Sequence, residues 1–158
     1  MPVSSPLIRQ AVAQDIPAML LLLERLFSLE TDFAFDPAKQ KKALHALLAQ
    51  HSKAHILVVE VNGEVVGMCT VQVLISTAEG GDVGLIEDVI IAPPHRNQGL
   101  GKSLLAAMCD WCSRHGLSRL QLLADRDNSA ALAFYKKTGW QQTKLICLRK
   151  SGNTASRI

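Results

Sequence analysis

Between Arg96 and Ser103 the chain reads Arg-Asn-Gln-Gly-Leu-Gly-Lys-Ser. Two glycines one residue apart, flanked by Arg96 and Lys102 and followed by the Ser103 hydroxyl, suit the binding of an anion. The β-branched run Val89-Ile90-Ile91 precedes them, Pro93 and Pro94 end that run, and an amphipathic helical pattern follows. At the start of a helix the first N–H groups have no intrahelical partner, and the helix dipole favours negative charge there. Gly99 and Gly101 let a phosphate approach the backbone with no Cβ in the way. Spacing excludes two common phosphate motifs. The P-loop, G-x-x-x-x-G-K-S/T, needs a glycine where Arg96 stands, and the dinucleotide fingerprint, G-x-G-x-x-G, needs one at Leu104. The pattern that fits is Q/R-x-x-G-x-G/A, filled by Arg96, Gly99 and Gly101.

Several elements must position this turn. Leu7–Gln10 reads as a short first strand. Asp15-Ile16-Pro17 is a helix start with Asp15 as N-cap, and Ile16, Leu20, Leu23, Leu26 and Phe27 form the apolar stripe. Pro37 opens a second helix through Ala49, after a loop holding Phe33 and Phe35. His55–Val61 and Glu64–Ile75 are strands joined by Asn62-Gly63, a strong hairpin signal. A second turn at Thr77–Asp82 leads to the strand Leu85–Ile91. The helix after Gly99 ends near Gly116, and Arg119–Ala124 is a strand expected to run parallel to Leu85–Ile91, because a helix joins them. Asn128 then opens a last helix, Gly139 ends it, and Trp140–Arg149 reads as a final strand, with Ser151–Ile158 frayed. The order is β-α-α-β-β-β-α-β-α-β in a mixed α/β single domain, residues 1–158 with a core from about 7 to 149. Its sheet is expected to be mostly antiparallel with one parallel pair.

Composition narrows the function classes. The 158 residues suit one domain, and 48% apolar with 20% charged is ordinary for a globular protein. A net charge of +3 assists an anionic ligand but is too small and dispersed to argue for nucleic acid. No apolar run is long enough to span a membrane, and Met1-Pro2-Val3-Ser4-Ser5-Pro6 lacks the basic and apolar parts of a signal peptide. Cys69, Cys109, Cys112 and Cys147 lie inside periodic apolar segments, which points to reduced, packed thiols and a cytoplasmic protein. Cys109 and Cys112 form a C-x-x-C with no second pair nearby, so no metal is implied.

The string I-x-P-x-x-R-x-x-G-x-G, placed between a strand and a helix, resembles the signature of the GCN5-related N-acetyltransferase (GNAT) family. A second block resembles the same family: Asn128, Ala131, Phe134-Tyr135 and Gly139-Trp140 fill its N-x-x-A-x-x-F/L-Y-x-x-x-G-F/W segment. The element order also matches. The resemblance spans about residues 7 to 149 and is specific from about Ile86 to Trp140.

The resemblance implies an acetyl-CoA-dependent N-acyltransferase in which an amine attacks the thioester directly, in a ternary complex. It implies that Arg96, Asn97, Gln98, Gly99, Leu100, Gly101, Lys102 and Ser103 hold the pyrophosphate, largely through main-chain N–H groups. It makes the strand at Val89, Ile90 and Ile91 a main-chain partner of the pantetheine arm, one of whose N–H groups polarises the thioester carbonyl. Asn128 carries over as a partner of the same arm, though a helix N-cap is its plainer role. The seven residues from Asn128 to Tyr135 are about two turns, so the two share a helix face roughly 10 Å apart. Tyr135, the only tyrosine, carries over as the acid that protonates the leaving thiolate; its plainer role is a core tyrosine. The acceptor nitrogen must lose a proton, and Glu87 is the preferred base, with Asp88 or a water as alternatives. The acceptor is a small-molecule or peptide amine, and the resemblance admits a homodimer. A CoA-binding regulatory module without turnover is the alternative from another class.

Overall fold

The computed structural model describes residues 5–152. Met1–Ser4, part of the stretch expected not to be a signal peptide, and residues 153–158 of the tail expected to fray lie outside the described residues. The chain divides into two compact units, Met1–Leu122 and Leu123–Ile158.

In the first unit β1 (Leu7–Gln10), β2 (Ala54–Val61), β3 (Glu64–Ser76), β4 (Gly81–Ile91) and β5 (Leu120–Leu122) form one sheet in that order. The first three pairings are antiparallel and β4 with β5 is parallel. The Asn62-Gly63 turn joins β2 to β3 with both residues at positive φ, 52° and 82°, as a two-residue hairpin requires. Residues 56–59 of β2 and 66–71 of β3 are buried without alternation. Such runs mean that both sheet faces are covered, by α1 (Ile16–Leu29), α2 (Pro37–Ala49) and α3 (Leu100–Arg114). Met19, Leu44, Ile56, Val58, Met68, Ile86, Leu104 and Met108 form the centre of this core.

Local chemistry explains the helix ends. Asp36 caps α2, accepting from the Ala38 N–H at 3.1 Å, and Pro37 follows at N1. Asp15 is not the side-chain cap expected for α1. Its carboxylate turns back to accept from the Val12 N–H at 2.8 Å and from Arg9, whose guanidinium exceeds a helix N–H as a partner. The buried α1 residues are Ile16, Met19, Leu22 and Leu23, so the stripe is rotated from the one expected. Gly116, at φ 74°, follows the end of α3. Trp111 lies between the rings of His55 and His115, at centroid distances of 4.4 and 3.9 Å.

The second unit contains one regular element among the described residues, α4 (Ser129–Lys137). The final strand expected over Trp140–Arg149 is not formed. A strand exists only through a ladder partner, and this unit contains no strand among its described residues. Leu145, Ile146 and Leu148 are consequently exposed, at 88%, 72% and 85%. The strand expected over Arg119–Ala124 is also shorter, because its pairing to β4 spans three residues.

Candidate active site

The carboxylates sit at a defect in the sheet. Along β3 and β4, Met68 pairs with Ile90 and Thr70 with Glu87, so Cys69 alone faces both Asp88 and Val89. This is a β-bulge, and Asp88 occupies it at φ 54°, a left-handed conformation uncommon outside glycine. Glu87 is exposed, whereas Asp88 is half-buried. The hydroxyl of Thr70, only 1% exposed, donates to Asp88 Oδ2 at 3.3 Å. Burial, and then the charges of Glu87 and Glu30, push the Asp88 carboxyl up to about 6 against the pull of Thr70. Among the described residues neither Glu87 nor Asp88 has an ion-pair partner. Strand alternation would give the two carboxylates opposite faces; the bulge breaks that alternation and gives them different environments instead.

The same strand has a half-open edge. The pairing of β5 with β4 covers only Gly84, Leu85 and Ile86. Beyond it, Val89, Ile90 and Ile91 belong to a stretch of β4 that is paired to β3 but not to β5. The main-chain groups on that side have no strand partner among the described residues, the arrangement that β-strand addition uses. The side chain of Ile90 is core, and those of Val89 and Ile91 are half-buried.

After β4 the chain makes a 3-10 turn over Pro93–His95, and the Arg96 Nε–H donates to the Ile91 carbonyl at 2.9 Å. Arg96 therefore braces the turn against the strand end. Asn97 and Gly99 both have positive φ, 60° and 79°, and Gly99 is the N-cap of α3. The alternation of left-handed and other residues turns successive N–H groups toward one concavity. The Ser103 N–H donates to the Gly99 carbonyl at 3.0 Å, so the N–H groups of Leu100, Gly101 and Lys102 precede the helical ladder. Leu100 is buried and anchors the turn, while Asn97, Gln98, Lys102 and Ser103 are exposed around it. This donor set fits a pyrophosphate: it presents several N–H groups, the positive end of a 15-residue helix and cations on either side.

In the second unit Asn128 is the N-cap of α4, and its side chain accepts from the Ala131 N–H at 3.0 Å. Tyr135 is half-buried between aromatic neighbours, its ring 5.4 Å from Phe134 and 6.2 Å from Trp140. The Trp140 N–H bonds the Tyr135 carbonyl at 3.0 Å, with Gly139 at φ 93°, so the helix end fixes the aromatic group.

Residues 21–140 match the family described as Acetyltransferase (GNAT) family. The chain belongs to that family. An uncharacterized N-acetyltransferase of Bacillus subtilis is 28% identical over 138 residues, 85% of this chain and 89% of its own length. An aminoglycoside N(6′)-acetyltransferase of Stenotrophomonas maltophilia is 28% identical over 146 residues, 90% and 91% of the two lengths. A solved aminoglycoside N-acetyltransferase, in complex with CoA, superposes with a TM-score of 0.82 over 96% of this chain and 99% of that one, at 16% identity. That likeness is one of fold. This GNAT chain is accordingly an acetyl-CoA-dependent N-acyltransferase. Among the described residues no helix is long and apolar enough to cross a membrane, and no three of His, Cys, Asp and Glu gather as a metal-ligand set.

Sequence reasoning missed Thr70 and Glu30. Thr70 reads as one more residue of a buried strand, and its meeting with Asp88 depends on the bulge. A carboxylate pair interrupting an apolar run, Ile86-Glu87-Asp88-Val89, was the available signal of irregularity.

Proposed function

We propose that this protein moves the acetyl group of acetyl-CoA to an amine by direct attack within a ternary complex, with Asp88 as base and Tyr135 as acid. The observation that carries the reading is the β4 bulge: it holds a half-buried carboxyl at about 6, beside a strand edge suited to an extended arm. An acceptor ammonium has a pKa near ~10 and must lose a proton before it attacks. A base near ~6 takes that proton far better than an ordinary carboxylate near ~4 and is still ionised at neutral pH. Glu87, exposed beside it, would then draw the cationic acceptor in. Bound acetyl-CoA supplies an activated acyl group. The chain's part is to hold the pyrophosphate on the N–H groups from Asn97 to Lys102, align the arm along Val89–Ile91, and donate a main-chain N–H to the thioester carbonyl. The acid role of Tyr135 rests on the second motif block, with Asn128 as a partner of the arm.

Acceptors of several kinds fit this chemistry. The relative that acts on aminoglycosides supports an amino sugar, and the half-exposed Phe33, packed on Phe27 at 5.7 Å, supports an acceptor with an apolar body. The free cysteines favour a cytoplasmic setting.

The test is CoA thiol release from acetyl-CoA with a panel of amines: an aminoglycoside, spermidine and a peptide with a free N-terminus. Amine-dependent release is expected, and Tyr135→Phe should lower it by about 10². Release that Tyr135→Phe leaves unchanged removes the acid role. Acetyl-CoA binding without release for any amine would favour the regulatory module, and no binding at all would overturn the reading of Arg96–Ser103.

A further inference from the structure

Thr70 stands out as a buried polar side chain within the buried run 66–71 of β3. Among the described residues, it and Asp15 are the buried polar or charged ones within the apolar core. Its hydroxyl meets one atom of the site, Asp88 Oδ2, at 3.3 Å. Among the described residues no other side chain or main-chain group bonds the Asp88 carboxylate, so Oδ1 is left open. We propose that Thr70 is a positioning residue for the base: it holds Asp88 Oδ2 in both protonation states and leaves Oδ1 as the atom that takes the amine's proton. The inference rests on the reading of Asp88 as the base.

The chemistry follows from the donor. The ionised carboxylate accepts the Thr70 hydrogen at Oδ2. When the acceptor's N–H bond breaks and its proton forms an O–H bond at Oδ1, Oδ2 becomes the carbonyl oxygen, which is still an acceptor. The bond to Thr70 therefore survives the transfer, and the carboxyl does not rotate during it. A proton on Oδ2 would instead require the Thr70 hydroxyl to turn its hydrogen away and become the acceptor. The hydroxyl also favours the ionised form, against everything else that faces Asp88. Glu87 lies next to it on β4 and Glu30 follows α1, both raising its proton affinity. Cys69 faces it from β3, and burial there pushes the thiol up, so it stays neutral. The left-handed backbone at Asp88 is what brings this carboxyl, rather than that of Glu87, to the threonine.

The experiment is a titration of the ligand-free protein followed by carbon-13 NMR of labelled aspartate side chains, with Asp88→Asn to assign the resonance. Wild type should titrate near 6. Thr70→Val, which keeps the shape and removes the donor, should move the midpoint up by about one unit, and Thr70→Ser should restore it to within about 0.3. The acid limb of kcat/KM, measured with the fastest amine of the panel, should move with it. Thr70→Ala replaces Thr70→Val if that variant does not fold by circular dichroism. A midpoint that is the same with and without the hydroxyl overturns the proposal. If Asp88→Asn retains full amine-dependent release, the base reading has failed, whereas the titration still judges whether Thr70 holds Asp88.

Discussion

Two aspartates in the first unit are withdrawn from water and are treated in opposite ways. Asp15, 7% exposed, is gripped by Arg9 through both carboxylate oxygens, at 2.8 and 2.9 Å, and accepts the Val12 N–H as well. Arg9 reaches on to Glu60 at 2.8 Å and ties β1 to β2 and to the start of α1. These partners outweigh burial and hold the Asp15 carboxyl below its usual value. Asp88 receives one long hydroxyl bond and two carboxylate neighbours, so burial wins and its carboxyl is pushed up to about 6. Partner chemistry, more than depth, therefore decides what a withdrawn carboxylate does. One fully satisfied with a cation is a fastener, and one denied a cation is left with a proton affinity useful near neutral pH.

The largest expected effect falls on the unsatisfied member. Asp88→Asn should lower amine-dependent kcat/KM by about 10² to 10³ at pH 7.5. The wild-type rate should rise with pH through about 6, since the base works ionised, and the variant should lack that limb. Glu87→Gln, on the exposed neighbour, should cost about tenfold or less, chiefly in KM. Equal losses in the two variants would erase the distinction drawn between them.

Next in size is the fastener. Arg9→Met leaves Asp15 buried without its cation. Breaking a buried pair costs about 3–5 kcal/mol, and because Arg9 is 29% exposed in its side chain the loss should be nearer about 2 kcal/mol. Urea denaturation reads it, and the pH limb assigned to Asp88 should not move. Asp15 has a depressed carboxyl, so its contribution is present above its unfolded value of 3.8 and is lost as pH falls through the still lower folded value. Arg9→Met should accordingly flatten the acid side of the stability profile. A variant as stable as wild type would mean that the corner is ornamental.

Of these two regions the sequence displayed the scaffold better than the contrast. The turn after β4 was legible because it depends on local chemistry: Pro93 and Pro94 stop a strand, Gly99 takes a left-handed cap, and a helix follows. The Asn62-Gly63 hairpin and Pro37 were legible for the same reason. What escaped depends on pairing between distant residues. The Arg9–Asp15 grip beat a local capping rule. The bulge that separates Glu87 from Asp88 is set by the register of β3 on β4, so alternation alone could not tell the surroundings of the two carboxylates apart. Trp140–Arg149 has strand composition, yet composition supplies no ladder partner.

The smallest expected effect reverses the usual direction of a charge-removing substitution. Burial pushes the Asp88 carboxyl up to about 6 in the folded protein, against 3.8 for the ordinary group. A raised carboxyl binds its proton more tightly folded than unfolded, so ionised Asp88 costs stability. The cost is fully present above about 6 and fades as pH falls toward 3.8. Asp88→Asn removes the charge while keeping the shape and an acceptor for Thr70, so it should stabilise the protein by about 1 kcal/mol at pH 7.5 and by little at pH 4.5. Urea denaturation at the two pH values measures the difference. A gain confined to the higher pH, in the variant that has lost activity, would mean that the fold tolerates a destabilising charge at the bulge for the sake of its chemistry. Destabilisation at both would put Asp88 with Asp15, among the groups that hold the sheet together.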